Sequence, residues 1–99
     1  MKINIFGEHL VVTEAIENYI KEKFSHLHTP EKITHVEFRI GSTKTEQYVH
    51  FLANIPGDSL VIKSHDKNLY HAIDQIMNKI HLSFVKEKDK HNQRLSSLH

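Results

Sequence analysis

Ninety-nine residues with 13 Lys and Arg against 12 Asp and Glu carry a formal charge of +1, with 38% hydrophobic residues and no cysteine. A chain of this length buries about two-thirds of its unfolded surface, enough for one core and too little for a second catalytic lobe. The lack of cysteine excludes a disulfide framework, a zinc ribbon and a thiol nucleophile, and makes the reducing cytoplasm the expected compartment.

Lys2 to Phe6 sets Ile3 and Ile5 against Asn4, the period-two pattern of a strand with one buried face, and Gly7 ends it. Thr13 precedes Glu14 to Leu27, in which Ile16, Tyr19, Ile20, Phe24 and Leu27 recur every three or four residues. That spacing predicts an amphipathic helix capped by Thr13, with Glu14 and Glu17 at the positive end of its dipole and Pro30 marking its exit. Ile33 to Ile40 reads as a second strand, with Val36, Phe38 and Ile40 on one face and His35, Glu37 and Arg39 on the other. Tyr48 to Ile55 reads as a third, with Val49, Phe51, Ala53 and Ile55 opposite His50, Leu52 and Asn54. Pro56-Gly57-Asp58 is a turn signal for antiparallel neighbours, and Leu60 to Ser64 predicts a short fourth strand. From Asn68, a suitable cap, Leu69, Ala72, Ile73, Ile76, Ile80 and Phe84 form a second helical stripe. Beyond Phe84 the stripe stops while Lys and Glu still favour helix, so the last turns are expected to project past the sheet and fray near Ser96.

The order β-α-β-β-β-α, with an antiparallel run of three strands, predicts an α+β fold. It is a two-layer sandwich, a four-stranded sheet with both helices on one face and the other face wet. Residues 1–95 form the expected single domain, and 96–99 a short tail. The N-terminal stretch lacks a signal-peptide pattern, and the longest apolar runs, such as Leu10 to Val12, are three residues against the ~20 needed to span a bilayer. No membrane partner is expected.

Charge is unevenly distributed. Residues 1–62 hold 6 basic and 8 acidic side chains and residues 63–99 hold 7 and 4, so the two parts carry −2 and +3. Counting from Lys79, the residues Ser83, Lys86, Lys90 and Arg94 follow at helical spacing on one stripe, with Lys88 on the opposite side. Such a stripe is a candidate phosphate rail, because Lys and Arg that displace counterions from a nucleic-acid backbone bind it in a salt-sensitive way. Glu87 and Asp89 within the segment fit the other reading, a solvated helix end. On the first helix Lys23 is the candidate contact, although it borders the apolar stripe, where its stem can also pack.

Ten histidines, each with an ordinary pKa of about 6.5, would make the chain more basic under mild acid and strengthen anion binding. His26 and His28 stand close together, but without an HExxH or cysteine pattern they do not predict a metal site. His35, His50 and His65 fall on the non-core face of their strands. Tyr70 beside Asp74 reads as packing with a hydroxyl at the edge. With three glycines and no phosphate loop, nucleophile elbow or paired carboxylates, neither an enzyme nor a cofactor or small-molecule substrate is predicted.

The segment from Gly7 to Lys23, with His9, Thr13, Ala15, Ile16, Tyr19 and Ile20, resembles the opening of the ribosome hibernation-promoting factor family, also described as ribosome-associated inhibitors or sigma-54 modulation proteins. Leu69-Tyr70-His71-Ala72-Ile73-Asp74 and Lys86-Glu87-Lys88-Asp89-Lys90 resemble its second helix, and the likeness spans residues 1–92. The resemblance implies a fold similar to double-stranded RNA-binding domains. It also implies a non-enzymatic cytoplasmic factor of stationary phase or stress that binds the small (30S) ribosomal subunit and its 16S rRNA near the decoding centre. There it would block mRNA and tRNA binding and promote inactive ribosome dimers, alone or together with another ribosome-dimerising factor. The basic positions carried over are Lys23, Lys79, Lys86, Lys88 and Lys90, and Arg94 extends the rail beyond the matching segment. Among short forms of the family, the acid-free ending Gln93 to His99 favours the hibernation-promoting type. Two alternatives stay open: a generic double-stranded RNA-binding module, and a protein-interaction adaptor such as a regulator of an alternative sigma factor.

Overall fold

The computed structural model describes residues 1–97, with side chains described for residues 1–86. The elements are β1 (Lys2–Glu8), α1 (Glu14–Ser25), β2 (His35–Ser42), β3 (Gln47–Ile55), β4 (Asp58–Asp66) and α2 (Leu69–Ser97), in the order the sequence predicts. Residues 98–99, the end of the segment expected as a tail, lie outside the described residues.

Thr13 caps α1 as expected, its Oγ1 accepting the Ile16 N–H at 3.2 Å. The helix ends at Ser25, several residues before Pro30, because the N–H groups of His26 and Leu27 turn back to the carbonyls of Lys23 and Phe24 and close the last turn early. At the start of α2 the Asn68 side chain accepts the Tyr70 N–H at 2.9 Å, again a local cap legible in the sequence.

The sheet order is β1-β2-β3-β4. Strands β2, β3 and β4 are antiparallel neighbours, but β1 joins β2 in parallel, so the sheet is mixed rather than wholly antiparallel. The reason is α1, which returns the chain to the starting end of β1 before β2 begins, as in any strand-helix-strand crossover. The fourth strand is not short. It runs nine residues and pairs with β3 from Ile55 opposite Asp58 to Gln47 opposite Asp66. The tight loop of Pro56 and Gly57, with Gly57 at φ +80°, leaves almost no residue unpaired, and pairing carries the strand beyond its apolar stretch.

Val36, Phe38, Ile40, Val49, Phe51 and Ala53 are buried on one sheet face, against Ile20 and Phe24 of α1 and Ala72, Ile73, Ile76, Met77, Ile80 and Phe84 of α2. At its centre Phe51 lies 5.2 Å from Phe38, 6.0 Å from Phe24 and 6.3 Å from Phe84, measured between ring centroids. This arrangement puts both helices on one face, and α2 continues to Ser97, well past Phe84.

Between β1 and α1 the chain turns sharply, with His9 at φ 56°, a left-handed backbone that histidine tolerates better than most residues. Gly7 makes that turn possible, since a Cβ there would lie 2.0 Å from the Leu10 carbonyl oxygen.

Candidate nucleic-acid interface

The described basic residues singled out from the sequence, Lys23 of α1 and Lys79 and Lys86 of α2, lie to either side of α2. On the flank toward α1, Tyr19 Oη donates to Asp74 Oδ1 at 2.6 Å. The Tyr19 and Tyr70 rings meet edge to face, 5.0 Å between centroids and at 89°. Lys23 places Nζ 5.4 Å from the Tyr19 ring centroid, so its ammonium rests over an aromatic face while remaining exposed. The contact made by Asp74 is therefore with Tyr19, while Tyr70 packs.

The hydrogen bond to Asp74, helped by burial and the carboxylate charge, holds the Tyr19 phenol above its ordinary pKa. Such a phenol donates and does not serve as a base. With the folded pKa raised, the bond contributes fully below the unfolded value of about 10 and is lost as pH rises through the folded value. Tyr19→Phe is expected to be less stable than the parent by about 0.5–1.5 kcal/mol near neutral pH. Urea unfolding at a series of alkaline pH values checks this: the difference should shrink above pH ~10. No stability difference between the two at neutral pH would mean that the hydroxyl contributes nothing.

On the flank toward β4, Gln75 donates to Asp66 Oδ2 at 2.9 Å and accepts from the buried Ser64 hydroxyl at 3.1 Å. Asp66 also accepts the Asn68 N–H at 2.9 Å, and these bonds, that backbone bond first, hold its carboxyl below the ordinary value. One turn further, Lys79 Nζ donates to the Lys63 carbonyl oxygen at 2.8 Å, covering an acceptor on the outer edge of the sheet. Lys86 is exposed two turns along the same stripe. Lys79 and Lys86 thus share a flank, whereas Lys23 stands on the other. Lys88, Lys90 and Arg94 lie in the part of α2 whose side chains are outside the described residues.

Strand parity places His35, His50 and His65 on the open face, as expected. His50 is held below its ordinary pKa, first by burial and then by Lys63, so it is neutral at neutral pH. Sequence spacing pointed to the helices and passed over Arg39 and Lys63, which register brings to either side of His50. The alternation of β2 and β4 already placed both on the non-core side, but their adjacency needs the pairing of three strands.

Among the described residues no group of three His, Asp or Glu is placed to hold a metal, and no helix is long and apolar enough to cross a membrane. Fold and site together define a small α+β binding domain that presents cations from its helices. The family model described as sigma 54 modulation protein / S30EA ribosomal protein matches residues 3–92, and the chain belongs to that family. It is similar to a ribosome hibernation promoting factor of Pseudomonas putida, 31% identical over 96 residues that cover 96% of this chain and 94% of the relative. A protein of the same description from Azotobacter vinelandii is 30% identical over 95 residues, covering 95% and 89%. The fold matches a ribosomal subunit interface protein from Coxiella burnetii with a TM-score of 0.84 at 18% identity, over 90% of this chain and 99% of that one. Membership in this non-enzymatic family supports ribosome hibernation as the chain's general role.

Proposed function

We propose that this protein binds the small ribosomal subunit through 16S rRNA near the decoding centre, blocks mRNA and tRNA there, and promotes inactive ribosome dimers in the cytoplasm of starved or stressed cells. The observation that carries the reading is the end-to-end similarity to relatives named as hibernation promoting factors. The geometry agrees with it. Lys23 on one flank of α2 and Lys79 and Lys86 on the other give the helical side separated cations, suited to phosphates and RNA shape rather than to base edges. Lys88, Lys90 and Arg94 extend this set in the proposal, as residues of a helix that runs on past the core.

Sucrose-gradient sedimentation of purified ribosomes with the added protein tests the reading. Co-migration with the small subunit together with a ribosome-dimer peak is expected. Co-migration without dimers would remove the dimer-promoting part, and absence from every ribosomal fraction at low salt would overturn the whole. Undiminished binding in the presence of excess plain RNA duplex separates this function from that of a generic duplex-binding module.

A further inference from the structure

The sheet face turned away from the helices is not composed like a surface that merely meets water. The strand registers align Phe6 with Arg39, Arg39 with His50, and His50 with Lys63, one row across all four strands. A second row aligns Glu8, Gly41, Tyr48 and His65. On the other side of the first row Leu52 is paired with Val61, and Val61 and Phe6 are 50% and 47% exposed. An antiparallel sheet with a solvated face ordinarily alternates to polar residues there.

Gly41 shapes this face. A Cβ at that position would lie 2.2 Å from Tyr48 Oη, so the Tyr48 ring reaches across backbone left bare by the missing side chain. The Tyr48 and His50 rings lie 4.8 Å apart between centroids, tilted by 34°. They form one wall of an open cavity of about 400 Å³ that is completed by Thr43, Glu46, Gln47 and His65. His65 Nδ1 lies 2.6 Å from Glu46 Oε2, so two of the lining residues are themselves paired. Arg39 is bonded to Glu37 at 2.5 Å yet keeps a half-exposed side chain.

We propose that this open face binds a single strand of RNA, with a base stacked on the Tyr48–His50 pair and adjacent phosphates on Arg39 and Lys63. Three features favour that ligand. Residues two apart on a strand are spaced by about 6.6–6.8 Å, a distance that an unstacked nucleotide chain can follow. Aromatic and apolar side chains, exposed at Phe6 and Val61 and half-buried at Tyr48 and His50, can stack on bases, whose faces a duplex hides, and the flanking cations match the backbone. The bond from Lys79 to the Lys63 carbonyl brings the α2 stripe against the strand that carries Lys63, so cationic positions continue around the sheet edge onto the open face. Glu8, Glu37 and Glu46 on or beside the face keep its charge modest, which leaves stacking to supply much of the affinity.

The proposal stands beside the ribosome reading and is tested without ribosomes. Fluorescence anisotropy with a labelled oligouridylate of about ten nucleotides, and with an RNA duplex of the same length, gives the two affinities at low salt. The oligouridylate is expected to bind the parent more tightly than the duplex does, and Tyr48→Leu to weaken it by about 5- to 150-fold. Arg39→Gln with Lys63→Gln, both at exposed positions that leave folding intact, should lower the salt slope by about 1.4. No oligouridylate binding, or a duplex preference untouched by Tyr48→Leu, overturns the proposal and leaves the apolar strip for a protein partner. Should Tyr48→Leu fail to fold, the Arg39 and Lys63 double variant decides alone, and an unchanged slope counts against it.

Discussion

When ribosomes are pelleted at low salt, the variant with alanine at Lys79, Lys86, Lys88 and Lys90 is expected to remain in the supernatant while the parent pellets. Each cation that neutralises a phosphate contributes about 0.7–0.9 to the salt slope, so four of them account for about 2.8–3.6. Between 50 and 200 mM salt the parent should then lose about 50- to 150-fold more affinity than the variant. The substitutions lie on α2, and the described ones, Lys79 and Lys86, are exposed and outside the core. Lys79 also covers the Lys63 carbonyl, so urea unfolding must accompany the pelleting to show that the variant is folded. A folded variant that pellets with the parent's salt slope would remove these residues from the interface. A folded variant that pellets poorly while Lys23→Ala pellets normally would place the contact on α2 rather than on α1.

Phe51→Ala is expected to produce the largest loss of stability of any single substitution in the sheet. Phe51 is fully buried among Phe24, Phe38 and Phe84, which come from both helices and the neighbouring strand. Removing its ring takes away contacts to both helices and to the neighbouring strand at once, and the surrounding backbone of a hydrogen-bonded sheet cannot collapse into the space. Truncations of this kind cost about 3–5 kcal/mol, a large share of the ~5–15 kcal/mol that stabilises a domain of this size. A fall in melting temperature of about 12–40 °C follows. Val61→Ala, on the open face, should change stability by no more than about 0.5 kcal/mol. Thermal unfolding followed by circular dichroism compares the two, and a Phe51→Ala variant as stable as Val61→Ala would show that the aromatic cluster does not hold the helices to the sheet.

These expectations draw unequally on sequence and structure. The stripe Leu69, Ala72, Ile73, Ile76, Ile80 and Phe84, the Thr13 cap and the alternation of Val36, Phe38 and Ile40 are local patterns, and each element appears where its pattern lies. The Gly7 to Lys23 and Leu69 to Lys90 segments likewise carry the family, because they are contiguous runs that a single chain displays. The limits of β4 and α1 were less legible, as were those of β1, which runs through Gly7 to Glu8, and of β2, which spans His35–Ser42 rather than Ile33 to Ile40. Strand length follows hydrogen bonding to a partner, and a helix end follows where its last carbonyls find donors; neither is a property of side-chain hydropathy.

By itself the sequence determined the order of elements, the buried face of each and the family, since turn sterics and side-chain period act over a few residues. Only the tertiary structure decided that β1 runs parallel, that Tyr19 bonds Asp74, and that Lys23 of α1 and Lys79 of α2 lie to either side of α2. It also decided that Phe6, Arg39, His50 and Lys63 form one row. Each of these joins residues far apart in the chain, and such meetings are set by strand register and by packing over a shared core, in which every element constrains the others at once.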